Sequence, residues 1–404
     1  MRPLALLFCL AFCFDMSIFT FEKIYRAYKE CLRNKKNTAN ALKFEMNREK
    51  NLSRLLYDLK TGRYEISRHI CFIVTEPSPR EIFAGDFRDR IVHHLLCNEI
   101  QVLFENCFIE SSYANRKNKG THKAVKELKF HLVRGGRNRQ KLYFLKMDIK
   151  GFFRNIDKDI LWGIIEGKIR ESGREENWKT EVLWLAKKII FHDPATNYIF
   201  KGKEETKKLI PKEKSLLFGD RNTGLPIGNL TSQFFANIYL NELDHFIKKK
   251  LGFERYIRYV DDFIILDENK EKLKEATNEV GRFLNGVLRL KLCESKTIFQ
   301  PVERGIDFLG YYIKPSHTLV RRKVVGRLKK KLFCYFNIFY SLSGENNNKD
   351  VDSLLQKFVS CMNSYFGHFI HANSFGFRKA VWTKSIAKYG QFNIDDGFRR
   401  IGLK

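Results

Sequence analysis

Two adjacent aspartates, Asp261 and Asp262, interrupt an otherwise apolar and aromatic stretch, RYIRYVDDFIILDE at 255–268. A third carboxylate, Asp148, ends a second apolar run, KLYFLKMD. An unpaired carboxylate is costly to bury, so the apolar surroundings predict a partner for each of these groups. If the two runs are neighbouring strands, the three carboxylates meet at one edge of a sheet. The alternative is a bare hairpin tip, because aspartate is also a good turn former.

Carboxylates that converge repel one another and raise each other's pKa unless a cation neutralises them. Oxygen ligands with no histidine or cysteine nearby favour Mg²⁺. A pair of such ions activates an attacking hydroxyl and stabilises a leaving pyrophosphate. The pattern therefore predicts a two-Mg²⁺ site for nucleotidyl transfer, built from Asp148, Asp261 and Asp262.

The surrounding sequence predicts the elements that must position these carboxylates. Hydrophobic periodicity predicts helices in 21–60, 121–132, 160–195 and 270–290, an amphipathic helix in QFFANIYLNELDHFIKKK (233–250), strands in 63–77 and 306–313, and a mainly helical, basic segment from 320 onward. The Lys- and Glu-rich stretch 200–224 is typical of an irregular insertion, and GENNNKD (344–350) of a loop.

The net charge restricts the classes of partner. The chain has 404 residues, with 74 Lys and Arg against 46 Asp and Glu, and a formal net charge of +28. Such an excess favours a polyanion, first nucleic acid and then an anionic membrane surface, over a merely solvated basic surface. Nine cysteines without a C-x-x-C pair favour a reducing compartment, and hence a cytoplasmic protein.

The first fourteen residues, MRPLALLFCLAFCF, form an apolar run that is too short to span a bilayer. The run resembles a short signal peptide, but no clear small-residue cleavage site follows it. We expect an extended start or an uncleaved apolar helix rather than secretion, and no stable association with a membrane.

YVDD followed by an apolar strand, with DIKGFF upstream, resembles the reverse transcriptase family. Other motifs keep the family order: PREIFAGDFRDRIVHHLL in the fingers, GLPIGNLTSQFFANIYLNELD beside the nucleotide, and LKLCESKT and IDFLGYYI in the late palm. The resemblance covers most of the chain from residue 21 onward. It implies an α+β right-hand polymerase with fingers, palm and helical thumb, and RNA-templated DNA synthesis as the reaction.

The resemblance also implies how the chain is divided. We expect an apolar N-terminal extension at 1–20, helices and fingers at 21–140, a palm at 141–315 that includes the helical and insert segment 160–224, and a basic thumb at 316–404.

VRRKVVGRLKKKLF has seven basic residues and no acidic one, which suits a thumb helix on duplex phosphates; a solvated helix face is the alternative. The residues implied to bind primer and template are Phe308, Leu309, Gly310, Arg321, Arg322 and Lys323.

Catalytic roles follow from the same resemblance. Asp148 and Asp261 would hold the two Mg²⁺ ions with Asp262 beside them, and the main-chain carbonyl of Ile149 would assist. Lys296 in ESKT matches a lysine that protonates the leaving pyrophosphate. Its alternative is an exposed turn lysine.

Other residues match the nucleotide pocket of the family. Phe153 matches the position where an apolar ring excludes a ribose 2′-hydroxyl, unless it is a core aromatic. Arg80 matches a clamp on the triphosphate, although Ser-Pro precedes it where family members often have lysines. Gly228 would let the backbone approach the nucleotide closely. Ile227 and Gln233 would line the base-pair pocket.

The stretch I-G-N-L-T-S-Q at 227–233 separates subfamilies. Intron-encoded and retron enzymes usually carry Gln-Gly and then Ser-Pro there, whereas this form resembles the reverse transcriptases of diversity-generating retroelements. Those enzymes copy a template-repeat RNA with errors at adenines and diversify a target gene by mutagenic retrohoming. The implied partners are template RNA, cDNA in an RNA–DNA duplex, dNTPs and a small basic accessory protein that forms a ring, in a bacterial, archaeal or phage-encoded setting.

Alternatives remain at each level. Within the family they are retron, group II intron-derived or defence-associated reverse transcriptases, which lack adenine-specific errors. Outside enzymes, the alternative is a catalytically silent RNA-binding protein on the same fold, and the intact Asp148, Asp261 and Asp262 argue against it. A basic membrane-surface protein would need the N-terminal apolar run as its anchor.

Overall fold

The structure is a computed structural model that describes residues 17–33, 35–76, 78–135, 141–342 and 348–404. The apolar extension up to residue 16, the proline at 77 and the first part of the expected loop at 344–350 therefore lie outside the described residues. The chain forms two compact units. Unit 1 reaches to Lys117 and includes Lys146–Ile264 and Lys274–Thr297, and unit 2 comprises Asn118–Leu145, Ile265–Leu273 and Ile298–Lys404. The expected extension, fingers, palm and thumb boundaries stay predictions.

Helices are the predominant secondary structure of the described residues. They are α1 (Phe21–Leu32), α2 (Ala39–Glu45), α3 (Arg48–Lys60), α4 (Phe87–Glu105), α5 (Thr121–Gly135), α6 (Phe152–Asn155), α7 (Lys158–Arg170), α8 (Glu176–Phe191), α9 (Leu230–His245), α10 (Lys270–Val287), α11 (Arg322–Leu342), α12 (Asn348–Phe369) and α13 (Phe375–Val381). The expected insertion contains 3₁₀ turns at Glu204–Leu209, Lys212–Lys214 and Leu216–Phe218. No helix among the described residues is both long and apolar enough to cross a membrane.

Short strands form separate small sheets. They are β1 (His69–Val74), β2 (Arg80–Ala84), β3 (Tyr143–Asp148), β4 (Tyr198–Phe200), β5 (Arg255–Tyr259), β6 (Asp262–Asp267), β7 (Ile298–Pro301), β8 (Ile306–Phe308), β9 (Tyr311–Ile313), β10 (Thr318–Val320), β11 (Phe392–Ile394) and β12 (Ile401–Leu403). Their orders are β2-β1-β4, β5-β6-β3-β7, β10-β9-β8 and β11-β12. Strand β1 pairs antiparallel with β2 and parallel with β4. This mixture of helices and mainly antiparallel pairs is the expected α+β class.

Aspartate side chains fix where two helices of unit 1 begin. Asp86 caps α4 by accepting from the N–H of Arg88, and Asp157 caps α7 by accepting from the N–H groups of Asp159 and Ile160. Such caps satisfy backbone donors that have no partner within the helix, and each contributes about 1 kcal/mol.

Helix α9 is buried on nearly every face, so the prediction of a single apolar face is wrong. It packs against both α4 and α7 within unit 1. A helix that contacts neighbours all round needs apolar or internally bonded residues all round. Its buried apolar residues are Phe234, Phe235, Ala236, Ile238, Tyr239, Leu240 and Leu243.

Unit 2 contains a core between helices and a hairpin that the sequence did not reveal. Leu328, Phe358 and Phe366 are fully buried in this core, together with Ile401 of the β11–β12 hairpin. Asn363 on α12 donates its amide N–H to the Ile401 carbonyl at 2.8 Å and accepts from the Ile401 N–H at 2.7 Å. The prediction of a mainly helical segment from 320 onward is therefore incomplete. Three-residue strands are too short to show an alternating pattern.

Candidate active site

The hairpin formed by β5 and β6 holds two of the expected aspartates at its turn. Asp261 lies between the strands and Asp262 begins β6. Tyr256, Phe263 and other hydrophobic residues of both strands are fully buried, so the strands fix the turn from both sides. Val260, just before Asp261, has a φ of +57°, which is the left-handed region.

Asp148 ends β3, the strand next to β6 in the four-stranded sheet. At and just beyond the end of β3, the backbone is hydrogen-bonded to a second segment. The N–H of Cys293 donates to the Asp148 carbonyl at 2.8 Å, and the N–H of Lys150 donates to the Lys291 carbonyl at 2.8 Å. The structure thus brings Asp148 to the hairpin, as the sequence predicts. The residue that follows it, Ile149, has a buried side chain.

The carboxylates are close enough to affect one another's charge. The pKa of Asp261 is raised to about 6, first because burial disfavours its charged form and next because Asp148, and then Asp262, repel it. Lys146 on β3 pairs with Asp262, with Nζ 3.2 Å from Oδ2. Acidic groups held together in this way attract cations.

Lys296 faces the same cluster from a 3₁₀ turn, Glu294–Lys296. Its Nζ lies 2.9 Å from both carboxylate oxygens of Asp148. Partial burial alone would lower the pKa of Lys296, but the hydrogen bond and the attraction of Asp148 outweigh it and the pKa is raised. The ammonium group therefore remains charged at neutral pH, and the lysine is not an isolated turn residue.

The cluster has the donor chemistry of an Mg²⁺ site, although its side chains are not arranged as a closed metal-binding cage. Among the described residues, no group of three or more His, Cys, Asp or Glu side chains is arranged to hold a metal. The ammonium groups of Lys146 and Lys296 instead supply positive charge beside Asp262 and Asp148. Carboxylate oxygens are the donor set that Mg²⁺ prefers, so the residues fit this ion.

The segment carrying Ile227 and Gly228 lies directly against β2. The Ile227 carbonyl accepts from the N–H of Phe83 at 2.9 Å. Gly228 has a φ of +126°, and a Cβ there would lie 2.9 Å from the Ile82 Cγ2 and 3.0 Å from the Phe83 carbonyl oxygen. The glycine is therefore required by the protein's own backbone, independently of any approach to a nucleotide. Gln233 is exposed on α9.

Buried histidines that the sequence analysis did not single out hold this segment in place. His93 Nδ1 lies 2.5 Å from the Thr231 Oγ1, and His69 Nε2 lies 3.4 Å from the Asn229 Nδ2. The Asn229 side-chain carbonyl also accepts from the N–H of Gly85 at 3.2 Å. Burial lowers the pKa of His69 to about 4 and that of His93 to about 3. No spacing in the sequence marks these histidines, since their partners are distant along the chain.

Phe153 and Arg80 are both accessible in unit 1. Phe153 is partly buried on α6, its ring centroid is 5.3 Å from that of Phe152, and its carbonyl accepts from the N–H of Leu225 at 2.8 Å. Arg80 is exposed at the first position of β2. Neither is sequestered in the core, so both are available to a ligand.

Within unit 2, the expected primer-binding residues form one tight turn and the start of a helix. Leu309 and Gly310 have φ angles of +50° and +89° between β8 and β9, as a two-residue hairpin turn requires. The Gly310 carbonyl accepts from the N–H of Arg321 at 2.9 Å, and the Arg321 side chain forms an ion pair with Asp307. Arg322 and Lys323 are exposed on the first turn of α11.

Phe308 is fully buried within unit 2. Its side chain cannot reach a primer, so the expectation that this ring grips the primer end requires correction. A contact from this hairpin would come from Leu309 and the Gly310 backbone at the turn.

A comparison with protein families identifies a match over the region just described. The sequence model of the family described as "Reverse transcriptase (RNA-dependent DNA polymerase)" matches residues 77–313, which is more than half of the chain. The matched range contains Asp148, Asp261, Asp262 and Lys296.

Curated relatives include group II intron-encoded protein LtrA of Lactococcus lactis subsp. cremoris, 22% identical over 349 residues that cover 70% of this chain and 53% of LtrA. Protein YkfC of Escherichia coli (strain K12) is 24% identical over 300 residues, covering 66% of this chain and 70% of YkfC. The chain thus spans about half the length of LtrA.

Solved structures with a similar chain path include telomerase from Candida Tropicalis in complex with a TWJ fragment of telomeric RNA. That structure is 15% identical with a TM-score of 0.46, and the alignment covers 78% of this chain and 57% of that chain. Apo telomerase from the same source is 15% identical with a TM-score of 0.45, covering 63% of this chain and 48% of that chain.

Proposed function

We propose that this chain, which belongs to the reverse transcriptase family, is an RNA-directed DNA polymerase that acts by two-Mg²⁺ nucleotidyl transfer. Membership in the family gives the chain the α+β right-hand fold expected from its motifs. The observation that carries the proposed activity is the position of Asp148 beside the hairpin of Asp261 and Asp262, where burial and next the charge of Asp148 raise the pKa of Asp261.

The carboxylates are proposed as the metal ligands. Asp148 and Asp261 would hold the two Mg²⁺ ions, with Asp262 and the Ile149 carbonyl assisting. When bound, these ions lower the pKa of the primer 3′-hydroxyl and neutralise the charge that develops on the leaving pyrophosphate. The two strands position the ligands rigidly because their other side chains are packed in the core.

Lys296 is proposed as the proton donor for the leaving pyrophosphate. Its raised pKa keeps it charged, and its side chain is 60% exposed, so it can turn from Asp148 toward a phosphate. An ammonium group that donates a proton as the P–O bond breaks lowers the barrier to pyrophosphate departure.

The nucleotide pocket is proposed to include residues of three neighbouring segments. Arg80 would bind the triphosphate, since a guanidinium forms paired hydrogen bonds with phosphate oxygens. Phe153 would exclude a ribose 2′-hydroxyl by bulk. Ile227, Gly228 and Gln233 would face the new base pair, on a segment that β2 and the buried histidines hold in place.

The basic residues are proposed to bind the nucleic acids. Arg321, Arg322 and Lys323 would contact backbone phosphates of the RNA–DNA duplex near the Leu309–Gly310 turn, and the net charge of +28 favours this class of partner. The substrates would be template RNA and dNTPs, in a cytoplasmic setting.

We further propose that the chain is the reverse transcriptase of a diversity-generating retroelement. The support is the I-G-N-L-T-S-Q stretch, which replaces the Gln-Gly and Ser-Pro of intron and retron enzymes. Such an enzyme would copy a template-repeat RNA with errors at adenines and would act with a small basic accessory protein in a ring.

Primer extension on an RNA of known sequence, with dNTPs and Mg²⁺, tests the polymerase. We expect the wild type to extend the primer and Asp261→Asn to fall to background, because the amide removes a metal-binding charge. The matched control is Asp267→Asn, at the other end of β6, where the carboxylate accepts from the Asn269 N–H. A folded wild type that stays inert, or an Asp261→Asn variant that extends normally, would contradict the proposal.

Sequencing of the cDNA tests the subfamily in the same reactions. Errors concentrated opposite template adenines, with the accessory protein present where one is encoded nearby, would support the retroelement assignment. Evenly low errors would keep the polymerase and assign the chain to the retron, intron-derived or defence-associated enzymes.

A further inference from the structure

A fully buried arginine lies three residues before Asp261. Arg258 on β5 forms a two-pronged pair with Asp244 on α9, with Nε 2.7 Å from Oδ1 and Nη2 2.6 Å from Oδ2, and neither side chain is exposed. The remaining terminal nitrogen, Nη1, donates to the Val260 carbonyl at 3.1 Å and to the Asn237 side-chain carbonyl at 3.3 Å. The guanidinium therefore joins helix α9 to the turn that carries Asp261.

Stability alone is a weak reason for this buried pair. The cost of removing two charges from water often equals or exceeds their attraction, and well-packed apolar side chains of similar volume are frequently as stabilising. The Tyr256 hydroxyl donates to the same Asp244 carboxylate at 2.7 Å, which completes a polar group inside the core. Such a group has a clear use when it fixes one geometry of the backbone beside it.

The backbone that it contacts is strained. Val260 has a φ of +57°, where a β-branched residue is rare and costs on the order of 1–3 kcal/mol. The Val260 carbonyl belongs to the peptide bond that leads into Asp261, so a bond to that oxygen fixes the direction in which Asp261 leaves the turn. Without it, the valine would relax toward an ordinary conformation and rotate this peptide.

The main chain of Arg258 is itself held from a neighbouring segment of unit 1. Its N–H donates to the Ser111 carbonyl at 2.9 Å, and its carbonyl accepts from the Tyr113 N–H at 3.0 Å. Asn237, which shares the guanidinium, also donates to the Ala114 carbonyl at 2.7 Å. Hydrogen bonds of its own main chain and of Asn237 thus hold Arg258 in one position.

We propose that Arg258 is a positioning residue that holds the strained Val260 turn and thereby aims the Asp261 carboxylate at the metal-binding position. The inference rests on the proposed function, because the metal-binding role of Asp261 is part of that proposal. Because Arg258 is fully buried and donates to the Val260 carbonyl, it would act through Val260. Residues that orient a metal ligand in this way change metal affinity or activity about tenfold to a hundredfold when replaced.

The test replaces the polar group by apolar side chains of similar size, Arg258→Met with Asp244→Leu and Tyr256→Phe, so that no buried charge or hydroxyl loses its partner. We expect this triple variant to melt within a few degrees of the wild type. At saturating dNTP its kcat should fall about tenfold or more, with little change in the KM for dNTP. Calorimetric titration of the nucleotide-free protein with Mn²⁺ should show about tenfold weaker binding.

Two controls separate positioning from packing. Tyr256→Phe alone keeps the Arg258–Asp244 pair and should keep wild-type Mn²⁺ affinity. Arg88→Met with Asp58→Leu removes another Arg–Asp pair of unit 1, with a 2.7 Å contact, that does not bond to the hairpin. That variant should change the melting temperature without changing Mn²⁺ affinity.

If the triple variant does not fold, Arg258→Lys tests the positioning role of Arg258 instead. A single ammonium group cannot bond to both Asp244 oxygens and to the Val260 carbonyl at once. We therefore expect a folded protein with weaker Mn²⁺ binding. A folded triple or lysine variant with wild-type Mn²⁺ affinity and kcat would overturn the proposal. If the wild type extends no primer, the proposed activity fails, while the Mn²⁺ titration still tests the role of Arg258.

Discussion

At the residue scale, Lys296 and Asp148 are each other's partner before any substrate binds, with contacts of 2.9 Å to both carboxylate oxygens. The lysine is largely exposed, and an exposed ion pair contributes only about 0–1 kcal/mol. Lys296 can therefore exchange Asp148 for a phosphate at little cost. The same weakness would free Asp148 for the proposed metal ion.

Replacing Lys296 by alanine should slow the chemical step rather than substrate binding. The variant lacks the proposed proton donor, so we expect kcat to fall about 10²-fold with a small change in the KM for dNTP. Single-turnover primer extension measures this. Lys291→Ala, at an exposed lysine of the same loop, is the matched control and should extend normally. Equal kcat for wild type and Lys296→Ala would remove the proposed role.

Shortening Phe153 should relax discrimination against ribonucleotides. The ring is partly buried and its backbone is fixed by Leu225, so Phe153→Ala opens space without moving the chain. We expect the preference for dNTP over rNTP, measured as a ratio of kcat/KM, to fall about tenfold or more. Phe153→Tyr keeps the ring and should keep the preference. An unchanged ratio in the alanine variant would identify Phe153 as a core aromatic only.

At the element scale, the I-G-N-L-T-S-Q segment is held by contacts from β2 and from two buried histidines. A neutral histidine that is buried resists protonation, and its pKa is lowered for that reason. His69 and His93 are neutral in both the folded and unfolded states above pH 6.5. Below that value the unfolded chain binds protons that the folded chain does not.

Acid should therefore lower the stability of the folded protein through these two histidines. Between pH 6.5 and about 4, each histidine lowers the free energy of unfolding by about 1.4 kcal/mol per pH unit as pH falls. Urea unfolding at several pH values measures the slope. His93→Gln should reduce that slope. A slope that is the same in wild type and His93→Gln would contradict the assignment.

The elements themselves show which structural features could be predicted from sequence. The hairpin around Asp261 and the helix that begins at Thr121 follow from local patterns, and both are present. Local patterns did not predict the near-complete burial of α9 or the β11–β12 hairpin, because both depend on packing partners distant in sequence.

The site shows the same limit. The aspartates can be identified from the sequence. Lys146 could also have been predicted, because it lies two residues before Asp148 and therefore on the same face of β3. The roles of the buried histidines and the contact of Arg258 with Val260 could not be predicted from the sequence, because these contacts form only in the folded structure.

At the scale of the whole molecule, the charge of +28 should make nucleic-acid binding strongly dependent on salt. Neutralising Arg322 and Lys323 together, as glutamines, should weaken binding of an RNA–DNA duplex and lower the log–log salt slope by about two. Fluorescence anisotropy at several KCl concentrations measures both. Lys249→Gln with Lys250→Gln, at exposed lysines after α9, removes the same charge and should leave the slope nearly unchanged. Equal effects from the two pairs would indicate a diffuse charge effect rather than a binding surface.

The side-chain amide of Asn363 serves the backbone of Ile401 as a neighbouring strand would, with one bond in each direction. Strand β12 therefore depends on helix α12 for hydrogen bonds to its backbone. A chimera that takes this helix from a relative must take the hairpin with it, or keep asparagine at 363. Otherwise both peptide groups of Ile401 lose their partners while its side chain stays in the core.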